Sequence, residues 1–186
     1  GDQPNETLCD YGAAWTFILW GFITGLLLGG HRLYDRAVRG KPAWDAFRAR
    51  RTESPLRLVV VGGGDMLQAV SSWATRHTSV TMAGQVQRSE VFQILAQSRA
   101  VLVPSQWEET FGMVAVEAMA AGTPAVASAH GAFPELITPG SDGALFPPTD
   151  IDALVKIFAD IDDHPAQWDG YGQTARQTYQ TRFSQD

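Results

Sequence analysis

A single cysteine, Cys9, stands among 186 residues. It excludes an internal disulfide and fits a reducing, cytoplasmic compartment. The four histidines and that cysteine show no metal-ligand spacing, so no metal is expected. Positive charge is also short. Fourteen Lys and Arg face twenty Asp and Glu, a formal net charge of −6, which argues against general nucleic-acid binding. Internal repeats and low-complexity tracts are missing. So is a G-x-G-x-x-G fingerprint, because the glycine run Gly62-Gly63-Gly64-Asp65 does not supply that spacing. Gly1 in place of a methionine points to a fragment or a processed product.

Apolar residues are plentiful, at 45%, and 186 residues suffice for one domain with a full core. The charge is uneven. Residues 56–186 carry seven basic and fourteen acidic side chains. Residues 31–51 carry seven basic ones against Asp35 and Asp45. A basic segment beside an apolar one reads either as a solvated helix face or as a membrane-surface feature. Residues 1–10 are polar, and a disordered tail is expected there. The Asn5-Glu6-Thr7 triplet is a sequon of a kind common by chance.

Tyr11 to Gly30 is twenty residues without a charge. Gly21, Gly25 and Gly29 recur every fourth residue, as in packed membrane helices, and basic residues follow, so a membrane span is one reading. Five glycines together with Trp, Phe and Ile also suit a buried strand and a tight turn. Unrelated sequence is a third reading, and all three stay open. Leu33 to Arg51 reads as helical, and Gly40-Lys41-Pro42 predicts two short helices there.

From Leu56 the pattern alternates. Strands are expected at 56–61, 80–84, 100–103, 124–128 and 143–147. Helices are expected at 66–76, at 90–97 with Ser89 as cap, from Gly112 to about Gly122, at 150–159 with Asp150 as cap, and at 168–182. Strands that alternate with helices imply a doubly wound parallel sheet, whose ligands bind at the carboxyl ends of the strands.

One such end is Pro104 to Gly122. The helix opening at Gly112 offers backbone N–H groups and the positive end of its dipole, a ready phosphate site. Glu109 in the loop and Glu117 in the helix bracket that end. Carboxylates do not bind phosphate but accept hydrogen bonds from hydroxyls, which suggests a sugar on either side of the phosphates. The bare E-x7-E spacing is weak, and a solvent-facing Glu117 is its ordinary explanation.

The surrounding residues are more specific. Pro104-Ser105, Glu109-Thr110-Phe111-Gly112 and Glu117-Ala118-Met119-Ala120-Ala121-Gly122-Thr123-Pro124-Ala125-Val126 closely resemble the donor-site signature of retaining GT-B glycosyltransferases (family 4-like, group 1). The resemblance covers residues 56–186. It implies a Rossmann-like α/β domain, the C-terminal half of a GT-B fold, whose N-terminal acceptor domain is absent from this chain. It implies transfer of a hexose from a UDP- or GDP-sugar to a hydroxyl of a glycan, lipid or small molecule, without a metal. Glu109 then binds donor-sugar hydroxyls as the catalytic residue, and Glu117 binds the ribose. The Thr110, Phe111, Gly112, Met113 and Val114 backbone holds the diphosphate. The backbone from Gly84 to Val86 meets the base.

The family's first strand ends in Gly-Arg-Leu-x-x-x-Lys-Gly, and its Arg and Lys neutralise the diphosphate. The best counterpart here begins at Gly25. Leu26 replaces the Arg and His31 stands for the Lys, a departure that implies weaker stabilisation of the leaving group. The segment Gly131 to Ile137 resembles the family's Gly-x-Pro-Glu stretch, and His130 just before it lies near the site. A non-catalytic nucleotide-sugar-binding module and a nucleotide-sugar epimerase are the alternative functions. Leu26 favours the module. The epimerases match the Glu109 to Ala120 signature less well.

Overall fold

The computed structural model describes residues 16–20, 34–64, 67–105 and 110–184, with backbone alone for 16–20 and 34–39. Among the described residues, six strands form one parallel sheet. They are β1 (Thr16–Trp20), β2 (Arg57–Val61), β3 (Val80–Gly84), β4 (Ser98–Val103), β5 (Ala125–Ser128) and β6 (Gly143–Phe146). Their spatial order is β3-β2-β1-β4-β5-β6. β1 therefore lies mid-sheet, with Thr16 to Trp20 in register with Arg57 to Val61 on one side and Leu19 opposite Leu102 on the other. Of the readings left open for Tyr11–Gly30, strand holds for these five residues. No helix among the described residues is long and apolar enough to cross a membrane.

Seven helices are described: α1 (Tyr34–Arg50), α2 (Leu67–Ala74), α3 (Arg88–Ala96), α4 (Met113–Ala121), α5 (Phe133–Leu136), α6 (Ile151–Asp163) and α7 (Pro165–Arg182). Strand side chains alternate between two cores, one on each face of the sheet. Leu58, Val60, Ala100, Leu102, Val126 and Phe146 pack with Trp44 and Phe47 of α1, Trp73 of α2 and Phe158 of α6. Val59, Val61, Val101, Val103, Ala125 and Ala127 pack with Ile94 of α3, Met119 of α4 and Phe133 of α5. The near-continuous apolar runs of β2 and β4 follow from this burial on both faces. The helix α7 serves both cores, with Trp168 in the first and Ala175 in the second.

Among the element limits that depart from the pattern-based expectation, four have a physical cause. α1 is one helix and runs through Pro42. An internal proline costs about 3 kcal/mol. Burying Phe47 contributes about 1.5–3 kcal/mol, and Trp44, wholly buried beside it, adds to that. Packing of the face Ala43-Trp44-Phe47 thus outweighs the local penalty. α3 begins at Arg88, with Gln87 rather than Ser89 as its cap. Glu90 decides this, because its Oε2 accepts the Gln87 N–H at 2.8 Å. α6 continues past Ala159 to Asp163, carrying Ile161 into the first core. α7 starts at Pro165, a residue suited to a first helical position. The Asp150 cap does form, its Oδ1 accepting the Ala153 N–H at 2.8 Å.

Candidate functional site

All six strands point their carboxyl ends to one side. β1, β2 and β3 build outward in one direction, while β4, β5 and β6 build from the other flank of β1. The switch point lies between β1 and β4, and sheets of this kind bind their ligands there, outside the carboxyl ends of the strands. The connection from β4 to α4 leaves from this point. Its start is tied down by Ser128 Oγ, which donates to the Ser105 carbonyl, both residues being wholly buried.

Gly112 sets the geometry of α4. It is the N-cap in the left-handed region, with φ 58° and ψ 36°. A Cβ there would come within 2.6 Å of Leu136 Cδ1 and 3.1 Å of Phe133 Cε1. Both steric facts require glycine. The short helix α5, from the Gly131 to Ile137 segment, is thus the floor on which the start of α4 rests. Ala115 N–H and Val116 N–H donate to the Gly112 carbonyl at 2.9 and 3.3 Å. The N–H groups of Met113 and Val114 precede that ladder and have no intrahelical acceptor. Ala115, Ala118 and Met119 are wholly buried, so the axis of α4 sits close on the sheet. At its other end, Gly122 caps it at φ 77°. A Cβ on Gly172 of α7 would come within 2.4 Å of the Gly122 carbonyl oxygen, so small residues let these elements meet.

Thr110 and Phe111 are exposed, Phe111 at 74% of its surface, and Met113 is 54% exposed. Val114 is partly buried against the second core. Glu117 lies on α4 one turn beyond Met113, and its side chain is only 15% accessible. Arg88 Nη2 donates to Glu117 Oε1 at 3.1 Å. Arg88 opens α3 directly after the Gly84 to Gln87 turn. Gly84 has φ 69°, and its carbonyl accepts the Gly62 N–H at 2.7 Å, joining the glycine turn after β2 to the end of β3. Val86 is half-buried in the same turn, packed on the second core. His130 is half-buried just beyond β5.

The structure therefore brings the α4 N-terminus, Glu117 and the turn from Gly84 to Arg88 to one rim. Glu109, Leu26 and His31 lie outside the described residues. β1 ends at Trp20, so the first glycine after it is Gly21, not the Gly25 that anchors the sequence comparison. Arg88 was missed by sequence reasoning. With Ser89 read as the cap, Arg88 fell outside the expected helix, and its place in the first turn of α3 emerges only in the structure. Among the described residues no group of three or more His, Cys, Asp or Glu could hold a metal ion.

Comparison with known proteins places this arrangement. Residues 41–178 match the model of the family described as glycosyl transferases group 1. The chain belongs to this family. Glycogen synthase of Mycobacterium tuberculosis is 30% identical over 177 residues, which cover 92% of this chain and 42% of the relative. The chain thus spans less than half the length of that curated relative. Sucrose-phosphate synthase from Thermosynechococcus elongatus superposes with a TM-score of 0.74 at 27% identity, covering 96% of this chain and 44% of the other. Anabaena HepE, solved in complex with UDP and glucose, gives a TM-score of 0.70 at 22% identity over 92% of this chain and 44% of its own, a likeness of fold. This glycosyltransferase domain is thus the C-terminal domain of a GT-B fold, and the rim around α4 lies at its switch point.

Proposed function

We propose that this chain is the donor-binding half of a retaining hexosyltransferase that takes a sugar from a UDP- or GDP-sugar and passes it to a hydroxyl acceptor. One observation carries the reading. A glycine-capped helix N-terminus meets a largely covered carboxylate at the switch point of a parallel sheet. The N–H groups of Met113 and Val114, with the dipole of α4, are matched to a diphosphate. Glu117, beyond the first turn of α4, accepts hydrogen bonds from the ribose hydroxyls. The backbone of Gly84 to Val86, across from it, meets the base. Glu109, three residues before Gly112, accepts from hydroxyls of the transferred sugar. HepE, bound to UDP and glucose, supports a nucleotide sugar as the ligand class.

When the bond from the sugar's anomeric carbon to the phosphate oxygen breaks, charge grows on the diphosphate. The preorganised N–H groups stabilise that charge more than they stabilise the ground state. The reading requires no divalent metal. The acceptor, and a membrane surface as its setting, belong to the part of the enzyme that meets this half across the rim.

Calorimetry with UDP, GDP and ADP, in EDTA, tests the reading on the wild-type chain and on Glu117→Ala. One nucleotide should bind, and the substitution should weaken it about tenfold or more, as loss of a charge-assisted hydrogen bond does. A folded chain that binds none of the three ends the reading.

A further inference from the structure

The Arg88–Glu117 contact is not explained by stability. Arg88 is 76% exposed, and ion pairs of that kind contribute little to folding. Nor does the helix want it. Arg88 occupies the first turn of α3, where a positive side chain meets the positive end of the dipole. Its neighbours in sequence, Gln87 and Glu90, already cap the helix between them. What Arg88 does reach is a carboxylate on another helix. Glu117 is 15% accessible, so its charge has lost most of its water and needs donors. Among the described residues Arg88 is its one partner.

We propose that Arg88 is a positioning residue for the nucleotide. It holds Oε1 of Glu117 and so fixes the carboxylate in one rotamer, with Oε2 turned to the ribose diol. The inference rests on the assignment of Glu117 to the ribose. Arg88 is suited to the task by its anchorage. Its guanidinium also lies 5.8 Å from the centre of the Phe92 ring, one turn along α3, which limits the directions the side chain samples. The pair therefore ties the turn that meets the base to the helix that meets the ribose. The contact preorganises the acceptor before the nucleotide arrives, and the gain appears as affinity.

The test compares wild type, Arg88→Ala, Arg88→Lys and Glu117→Ala in calorimetry. The probe is whichever of UDP, GDP and ADP the wild type binds, beside its 2′,3′-dideoxy form. Arg88→Ala should weaken the ribonucleotide about fivefold. It should leave the dideoxynucleotide within twofold, because that ligand makes no demand on Glu117. Arg88→Lys should recover part of the loss, since a point charge keeps the attraction but not the planar donor geometry. In the Glu117→Ala background, Arg88→Ala should have no further effect. Thermal unfolding of Arg88→Ala should match wild type. Unchanged or tighter ribonucleotide binding by Arg88→Ala, with Glu117→Ala still weak, overturns the proposal and leaves the ribose site standing. An equal loss for both nucleotides also overturns it. Failure of Glu117→Ala to weaken binding removes the ribose assignment and the proposal with it.

Discussion

At Gly112 the fold and the proposed function meet in one residue. Its left-handed backbone turns the chain from the β4 exit into α4, and its missing side chain lets α5 come up beneath. Placing a side chain in that backbone region costs about 1–2 kcal/mol. The clash with Leu136 and Phe133 adds to this, because both are buried and packed in the second core. Gly112→Ala should therefore destabilise the domain by about 2–3 kcal/mol. It should also weaken nucleotide binding, since the N–H groups of Met113 and Val114 shift with the helix start. Urea denaturation and calorimetry on the same sample check both. A variant as stable as wild type would mean that α5 moves aside at no cost, and that Gly112 does not set the start of α4. Glu117 differs in kind. No part of the fold needs a carboxylate there, so its loss should cost binding and leave the midpoint of unfolding in place.

Between elements, the clearest polar tie is α1 to α6. Arg51, just after α1, donates through Nη2 to Asp163 Oδ2 at 2.7 Å and through Nη1 to Asp162 Oδ2 at 3.4 Å. The Arg51 hydrogen bond holds the Asp163 carboxyl below its ordinary 3.8. A depressed carboxylate contributes stability that is present above the unfolded value and lost as pH falls through the folded one. Asp163→Asn should therefore melt below wild type at neutral pH. The gap should close as pH drops below 3.8 and through the depressed value. The pair is exposed, so the gap is small and shrinks in high salt. A gap of constant size from neutral to acid pH would show that the charge is not what joins the two elements. The same pair of helices shows where pattern reading stops. β2, β4 and β5 were legible because burial on both faces writes an apolar run directly into the sequence. The unbroken α1 was not, because Pro42 and Gly40 are local signals for a break. The packing that overrides them, Trp44 and Phe47 against Phe158, is made with residues more than a hundred positions away. The glycine-capped start of α4 was legible from the Glu109 to Gly122 signature. The Arg88 contact was not, since nothing in a linear pattern says which of two distant helices will meet.

At the scale of the whole molecule, strand order decides where a ligand can act. The two halves of the sheet part at β1 and β4, so the turns proposed to meet the nucleotide come from both sides of the switch point. Gly84 to Arg88 belongs to the first half, and Gly112 to Glu117 to the second. A ligand that bridges them ties together turns carried by α3 and α4. Binding to the native state alone stabilises it by about 2.7 kcal/mol at a hundred times the dissociation constant. For a domain of this size each kcal/mol moves the melting temperature by about 2–4 °C. The bound nucleotide should therefore raise Tm by about 5–10 °C, whereas equal ionic strength of sodium sulfate should not. Amide exchange should slow at Met113, Val114 and the Gly84 to Val86 turn together, because one ligand spans both. Protection confined to the start of α4 would mean that the site binds phosphate alone. The base contact would then be wrong, and the two sides of the switch point would not act on one ligand.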